Sequence, residues 1–179
     1  MDRRNFLKNV AGGAVAGGIV ACLPNAALAA DLTITSPSGF AAESVDYPGV
    51  VNCTYFADGM ANRAGWKLTF SRAGNANTWA TNVTNATKSL VPTAGTIMVL
   101  NGPGAAGHVG WVTSVIPNSN GTFSIQVSEG FKRGTAAGKV NGKFDYFIHT
   151  WTVTAGNNPT ATVSGGTVAI PVLGFLKKK

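Results

Sequence analysis

Apolar residues in the first half of the chain recur every three to four positions, as they do along one face of a helix. Phe56, Met60 and Ala64 have this spacing directly after Cys53, so the pattern predicts a helix that begins at this cysteine. The same spacing predicts a second helix over residues 77–88. Its apolar face is predicted to contain Trp79, Val83 and Ala86, with Asn75 or Asn77 as its cap.

The second half of the chain changes to short apolar runs and to alternation of apolar and polar residues, which are typical of strands. Turn residues at positions 118–121 separate two of these runs and predict a hairpin. Because helices come first and antiparallel strands follow, the predicted fold class is α+β, with N-terminal helices packed on an antiparallel β-sheet. Strands are predicted at residues 96–100, 108–115, 122–129 and 144–153.

Composition sets the limits of this domain, which we place at residues 41–153. With 179 residues, of which 45% are hydrophobic, the chain can bury one ordinary core, so we expect one compact, monomeric domain. A linker containing Ser, Pro and Gly precedes it at residues 30–40. The Ala, Gly, Asn, Thr and Ser content of residues 154–179 indicates a mobile tail.

The predicted tail ends in an apolar stretch, residues 168–176, followed by three lysines. This stretch is too short to span a bilayer. It could touch a membrane surface, with the lysines drawn to anionic headgroups. An additional edge strand and a disordered end are the alternatives on composition.

The first 29 residues have the features of an export signal. Arg3 and Arg4 are followed, after one residue, by Phe6-Leu7-Lys8, as in the twin-arginine motif. An apolar stretch at residues 10–21 is too short to span a bilayer, and small residues at 27–29 offer a cleavage site. These features predict a signal peptide read by the twin-arginine export machinery and a periplasmic or secreted protein. An uncleaved anchor is the alternative.

A sequence similar to a lipobox, residues 19–22, offers a second route of processing. Cys22 would then be lipidated and would anchor the mature protein as a lipoprotein. Both routes carry the protein across the cytoplasmic membrane. Once Cys22 is removed, Cys53 has no intramolecular disulfide partner.

The formal net charge of +7 is concentrated at the two ends of the chain. Residues 30–176 carry eight basic and six acidic residues, which is a weaker bias than a specific nucleic-acid-binding protein would show. The cysteines, histidines and carboxylates show no paired spacing of the kind that zinc sites use. We therefore expect no nucleic-acid partner, no metal and no cofactor.

Cys53 is the strongest candidate for a reacting group, although an unpaired cysteine is often only a small buried hydrophobe. The backbone N–H groups and the dipole at a helix N-terminus favour the thiolate and lower the pKa of a thiol. A thiol hydrolase also needs a base and a third polar group that fixes the tautomer of the base. His108 at a strand start and Glu129 at a strand end are candidates, while His149, inside a predicted strand, is interpreted as structural.

Five blocks of the sequence carry a family resemblance: Asn52-Cys53-Thr54-Tyr55-Phe56-Ala57, Gly74-Asn75-Ala76-Asn77-Thr78-Trp79-Ala80, Pro92-Thr93-Ala94-Gly95-Thr96-Ile97-Met98-Val99, Gly107-His108-Val109-Gly110-Trp111-Val112 and Val127-Ser128-Glu129. In this order they resemble the CHAP domain, the family of cysteine- and histidine-dependent amidohydrolases and peptidases. The resemblance spans about residues 41–153.

This resemblance implies a papain-like fold and cleavage of amide bonds in bacterial peptidoglycan, without a cofactor. Cys53 would be the nucleophile, His108 the general base and then the acid, and Glu129 the orienting residue. The backbone N–H of Cys53 and the side chain of Asn52 would position the substrate and hold the oxyanion.

Two positions depart from the family pattern. The family often has Asn two residues after the glutamate, where this chain has Phe131, so a fourth polar residue is missing or supplied elsewhere. Thr96 replaces a common Asp, which alters a local turn. The alternative from another class is a catalytically silent module for cell-wall binding or adhesion. A third reading is an amidase acting on a small peptide conjugate, because a fold alone does not fix the substrate.

Overall fold

The computed structural model describes residues 31–38, 51–130 and 136–179. The predicted leader, including Cys22, and the departure at Phe131 lie outside these residues. The described helices are α1 (Cys53–Arg63), a single 3-10 turn (Ala76–Thr78) and α2 (Trp79–Asn82). The described strands are β1 (Ala86–Ser89), β2 (Ile97–Leu100), β3 (His108–Pro117), β4 (Phe123–Gly130), β5 (Gly138–Val140), β6 (Phe144–Val153), β7 (Thr160–Val163) and β8 (Ile170–Lys178).

Six of these strands close into a barrel. Around the ring the order is β2, β3, β4, β6, β7 and β8, every pair is antiparallel, and β8 returns to β2. β1 is added to β8, and β5 to β6, outside the ring. With 42% of the residues in strands and 14% in helices, the protein is mostly β. The predicted papain-like α+β arrangement, with N-terminal helices packed on a sheet, is wrong because the sheet closes on itself.

The residues that close the barrel are those for which composition predicted a mobile tail. β7 pairs with both β6 and β8, and β8 lies between β1 and β2, so β8 is not an edge strand. Most apolar side chains of β8 are buried in the core, whereas Val168, which precedes β8, is exposed. The buried ones are Ile170, Val172, Phe175 and Leu176.

The predicted second helix is also wrong over most of its length. The chain is helical only to Asn82, and residues Ala86–Ser89 form β1. Val83 turns the backbone to an extended conformation and bridges to Phe70. The β-branched residues around it favour strand over helix. In contrast, the predicted helix at Cys53 and the four predicted strands are confirmed as α1, β2, β3, β4 and β6, with small differences at their ends.

The core has two parts that meet at the barrel wall. In β2, Met98 and Leu100 point into the barrel, whereas Ile97 and Val99 point outward to the layer that contains α1. Helix α1 packs on the outside of β3 and β4. Because β2 is buried on both faces, its sequence is a continuous apolar run.

Residues 31–38, inside the predicted linker, contact strand β5 and helix α1. Leu32 pairs with Val140, and the side chain of Asn141 makes two hydrogen bonds of 2.9 Å with the backbone of Ile34. The hydroxyl of Ser36 donates to the buried carboxylate of Asp58 at 2.6 Å. None of the described helices is long and apolar enough to cross a membrane.

Candidate active site

Cys53 is the first residue of α1, and the residues around it fix this position. The preceding Asn52 caps the helix, because its Oδ1 accepts from the Thr54 backbone N–H at 2.9 Å and from the Thr54 hydroxyl at 2.7 Å. Gly130 at the end of β4 allows the close approach, since a Cβ there would lie 2.9 Å from the Asn52 carbonyl oxygen. The Cys53 side chain is 7% exposed and is not in a disulfide.

His108 is the first residue of β3, and a tight turn that ends at Gly107 precedes it. Gly107 has φ +71°, and a Cβ on it would lie 2.5 Å from Cβ of Asn77 and 2.6 Å from the carbonyl oxygen of Leu100. Only glycine suits this combination of positive φ and close contact. Asn77 holds the same turn with hydrogen bonds to the carbonyls of residues 105 and 106. His108 is thereby fixed with 4% of its surface exposed.

Glu129 lies in β4 beside His108 and is fully buried. Its Oε1 is 3.1 Å from Nε2 of His108. The side chain passes over Gly110 of β3, where a Cβ would lie 3.0 Å from Cγ of Glu129. The structure therefore brings together the three residues that the sequence selected, Cys53, His108 and Glu129.

Two further residues contact the same carboxylate, and the sequence did not identify them. Nδ1 of His149 lies 2.9 Å from Glu129 Oε2, and the indole N–H of Trp151 donates to Oε1 at 3.1 Å. Both come from β6, where alternation places them on one face. This alternation was visible in the sequence, but the pairing of β6 with β4 was not. The interpretation of His149 as only a satisfied structural histidine overlooked this partner.

The charges in this cluster favour an ion pair between Cys53 and His108. Burial alone raises the pKa of the Cys53 thiol, but the hydrogen bond and positive charge of His108, helped by the Val109 backbone N–H, hold it below its ordinary value. Burial likewise lowers the pKa of His108, yet the charge of Glu129 and the hydrogen bonds to Cys53 and Glu129 raise it to about 10. Both shifts favour the charged forms of the pair, thiolate and imidazolium.

The contacts assign the two ring nitrogens of His108. Nε2 bonds with Glu129, which leaves Nδ1 as the ring nitrogen that can exchange a proton with Cys53 or with a substrate. Asn52, selected as an oxyanion residue, has its oxygen committed to the helix cap, so only its Nδ2 group is left to donate. Among the described residues, no three His, Cys, Asp or Glu side chains are arranged to hold a metal ion.

Of the comparisons with known proteins, the one with family models gives a match. Searches of curated proteins and of solved structures give no significant match. Residues 42–130 match the sequence model of the CHAP domain, a segment that contains α1 and ends with β4, so β6 to β8 lie beyond it. CHAP domains are generally amidohydrolases or peptidases that act on peptidoglycan. With Cys53, His108 and Glu129 inside the matched segment, the chain belongs to the CHAP domain family.

Proposed function

We propose that this protein hydrolyses amide bonds of bacterial peptidoglycan with the Cys53 thiolate as its nucleophile. His108 acts as general base and general acid, and Glu129 orients His108. The observation that carries the proposal is the contact of 3.1 Å between Nε2 of His108 and the buried carboxylate of Glu129, together with the lowering of the Cys53 pKa by the same His108. A thiol hydrolase needs these three groups in this order. Family membership supports peptidoglycan as the substrate class.

Acylation begins with attack of the thiolate on the carbonyl carbon of the scissile amide. The C–S bond forms while the carbonyl π electrons move to oxygen. The resulting oxyanion is held by the backbone N–H of Cys53 at the start of α1 and by Nδ2 of Asn52. The C–N bond then breaks, and its electron pair stays on the departing nitrogen. This nitrogen accepts a proton from Nδ1 of His108. The products of this stage are an amine, a thioester on Cys53 and a neutral imidazole.

Deacylation reverses these roles with water as the nucleophile. Nδ1 of neutral His108 takes a proton from water as its oxygen attacks the thioester carbonyl. The C–S bond breaks with its electron pair on sulfur, which releases a carboxylic acid and restores thiolate and imidazolium. Throughout, Glu129 holds the proton on Nε2, so that proton transfer takes place at Nδ1, the nitrogen that faces Cys53.

The test is mass spectrometry of fragments released from purified peptidoglycan by wild type and by Cys53→Ala. We expect fragments with wild type only, and their new termini name the bond that is cleaved. Ser128→Ala is a matched control, because the Ser128 hydroxyl is buried in β4 without a hydrogen-bond partner among the described residues. This control should release fragments as wild type does. If no protein releases fragments while all of them stay bound to the wall, the protein is a binding module and the proposal fails.

Export across the cytoplasmic membrane is part of the proposal, because peptidoglycan lies outside that membrane. Its support is the leader sequence, with Arg3 and Arg4 before Phe6 and a small-residue cleavage site at 27–29. Replacing both arginines with lysine should retain the protein in the cytoplasm, as measured by cell fractionation. Lipid labelling of wild type and Cys22→Ser then separates the two routes of processing. Unchanged fractionation of the double lysine variant would refute transport by the twin-arginine machinery.

A further inference from the structure

The carboxylate of Glu129 lies between two imidazoles, and the proposed mechanism uses only one of them. Oε1 faces Nε2 of His108 and the indole of Trp151, each at 3.1 Å. Oε2 faces Nδ1 of His149 at 2.9 Å, the shortest of the three contacts. Glu129 is fully buried, whereas the His149 side chain is 20% exposed. A buried carboxylate with a donor on each oxygen is fixed in both position and orientation.

The register of β4 and β6 explains why His149 meets Glu129. Glu129 pairs directly with Phe147, and Val127 pairs with His149. Residues 147 and 149 therefore project from the same face of β6, and His149 is the diagonal neighbour of Glu129, within reach of a long side chain. The ring of His149 lies alongside that of Phe147, with centroids 6.1 Å apart and planes inclined by 26°. The contact is thus set by strand pairing and not by a mobile loop.

We propose that His149 is a positioning residue that holds Glu129 against His108 and so maintains the pair of Cys53 thiolate and His108 imidazolium. This inference rests on the proposed function and deepens it. It assigns to His149 the role of a fourth polar residue, which the sequence lacks at Phe131. His149 belongs to β6 and lies beyond residues 42–130, the segment that matches the family.

Removing the donor on Oε2 has two physical consequences. The carboxylate gains freedom to rotate about its last torsion, so its bond to His108 loses its fixed direction. The buried negative charge also loses one of its hydrogen bonds and binds a proton more readily. Both changes weaken the charge that stabilises the His108 imidazolium, and the thiol of Cys53 then holds its own proton to higher pH.

The side chains of Asn and Leu separate the hydrogen bond from the shape of His149. In Asn, the amide nitrogen is attached at the same number of bonds from Cα as Nδ1 of histidine, so His149→Asn keeps a donor near Oε2. His149→Leu fills similar space without a donor. In Gln the amide nitrogen lies one bond further out, so His149→Gln displaces the donor while the residue stays polar and suited to a partly exposed position.

The experiment measures the rate of Cys53 alkylation by iodoacetamide as a function of pH, which reports the thiolate without requiring hydrolysis. For His149→Leu we expect the midpoint to rise by at least about one pH unit, so alkylation below the wild-type midpoint slows about ten-fold. His149→Asn should stay within about three-fold of wild type, which is less than half a pH unit. On peptidoglycan, His149→Leu should lower kcat and leave KM unchanged.

The outcomes separate this inference from the proposed function. Equal alkylation profiles for wild type and folded His149→Leu would overturn the positioning role, even if hydrolysis is present. Equal impairment of the Asn and Leu variants would also overturn it, because the donor would then be irrelevant. If His149→Leu does not fold, the comparison of His149→Asn with His149→Gln decides, and equal profiles refute the role. Shifted profiles without any release of peptidoglycan fragments would support the positioning role and refute the proposed function.

Discussion

Replacing Glu129 with glutamine removes a buried charge while it keeps nearly the same shape. All three groups around the carboxylate, on His108, His149 and Trp151, have an N–H to donate. An amide can accept at one end only, so its NH2 group must face at least one donor. We therefore expect Glu129→Gln to reduce the free energy of unfolding by about 1–3 kcal/mol, the cost of one unsatisfied buried donor.

The larger effect concerns the proton on His108. The rise of the His108 pKa from 6.5 to about 10 corresponds to about 5 kcal/mol of preference for the imidazolium. Burial opposes this rise, and the charge of Glu129 is the strongest of the influences that produce it. Without that charge the pKa of His108 should fall from about 10 toward its ordinary value of 6.5.

The assay follows kcat/KM on peptidoglycan with pH, and NMR titration of the His108 imidazole gives an independent value. Because His108 must be protonated to release the amine, activity should decline above its pKa. The alkaline limb should move from near pH 10 in wild type to lower pH in Glu129→Gln. Gln126→Ala, a change on the same strand outside the cluster, is the control and should keep the wild-type limb. An unchanged alkaline limb and an unchanged NMR titration in Glu129→Gln would refute Glu129 as the charge partner.

Three further predictions concern the acid limb, the turn before His108 and the barrel. Because His108 holds the pKa of Cys53 below its ordinary value of 9.0, the midpoint of wild-type alkylation by iodoacetamide should lie below pH 9.0, and alkylation should slow as the pH falls through that midpoint. A midpoint at or above pH 9.0 would contradict the ion pair. Gly107 has a positive φ and close neighbours, so Gly107→Ala should reduce the free energy of unfolding in urea by about 1–3 kcal/mol and should also reduce kcat. Gly121 has φ +79° but open space around it, so Gly121→Ala should reduce the free energy of unfolding and leave kcat unchanged. Phe175→Ala should cost about 3–5 kcal/mol, because Phe175 is buried inside the barrel; a loss below about 1 kcal/mol would contradict a packed interior.

The elements that the sequence predicts well are those whose signal is local. The helix at Cys53 has an N-cap in Asn52 and apolar residues at helical spacing, and α1 begins there. The strand with Phe123, Ile125 and Val127 alternates cleanly, and it becomes β4. These local signals also place Cys53, His108 and Glu129 at or near the ends of elements, which is why these three residues could be selected as a candidate site before their contacts were known.

The elements that sequence analysis misses depend on contacts between distant parts of the chain. The alternation of β8 is interrupted by Pro171 and by Gly174, so the composition of this segment suggests a tail. Only its pairing with β2, more than 70 residues earlier, makes it a barrel strand. For the same reason His149 could not be assigned, because its contact with Glu129 depends on the register between β4 and β6.

Closure of the barrel by β8 also has a consequence for the order of folding during synthesis. Thr87 of β1 meets Lys177 of β8 across 90 residues of sequence, so this edge forms only after the last described strand has left the ribosome. Contacts of such long range form late and slowly. Until then one edge of β2 has no strand partner, and the barrel that contains β3, β4 and β6 is still open. If the proposed function holds, a nascent chain in which β8 has not yet paired should therefore carry an ordinary thiol at Cys53, although His108 and Glu129 are already present.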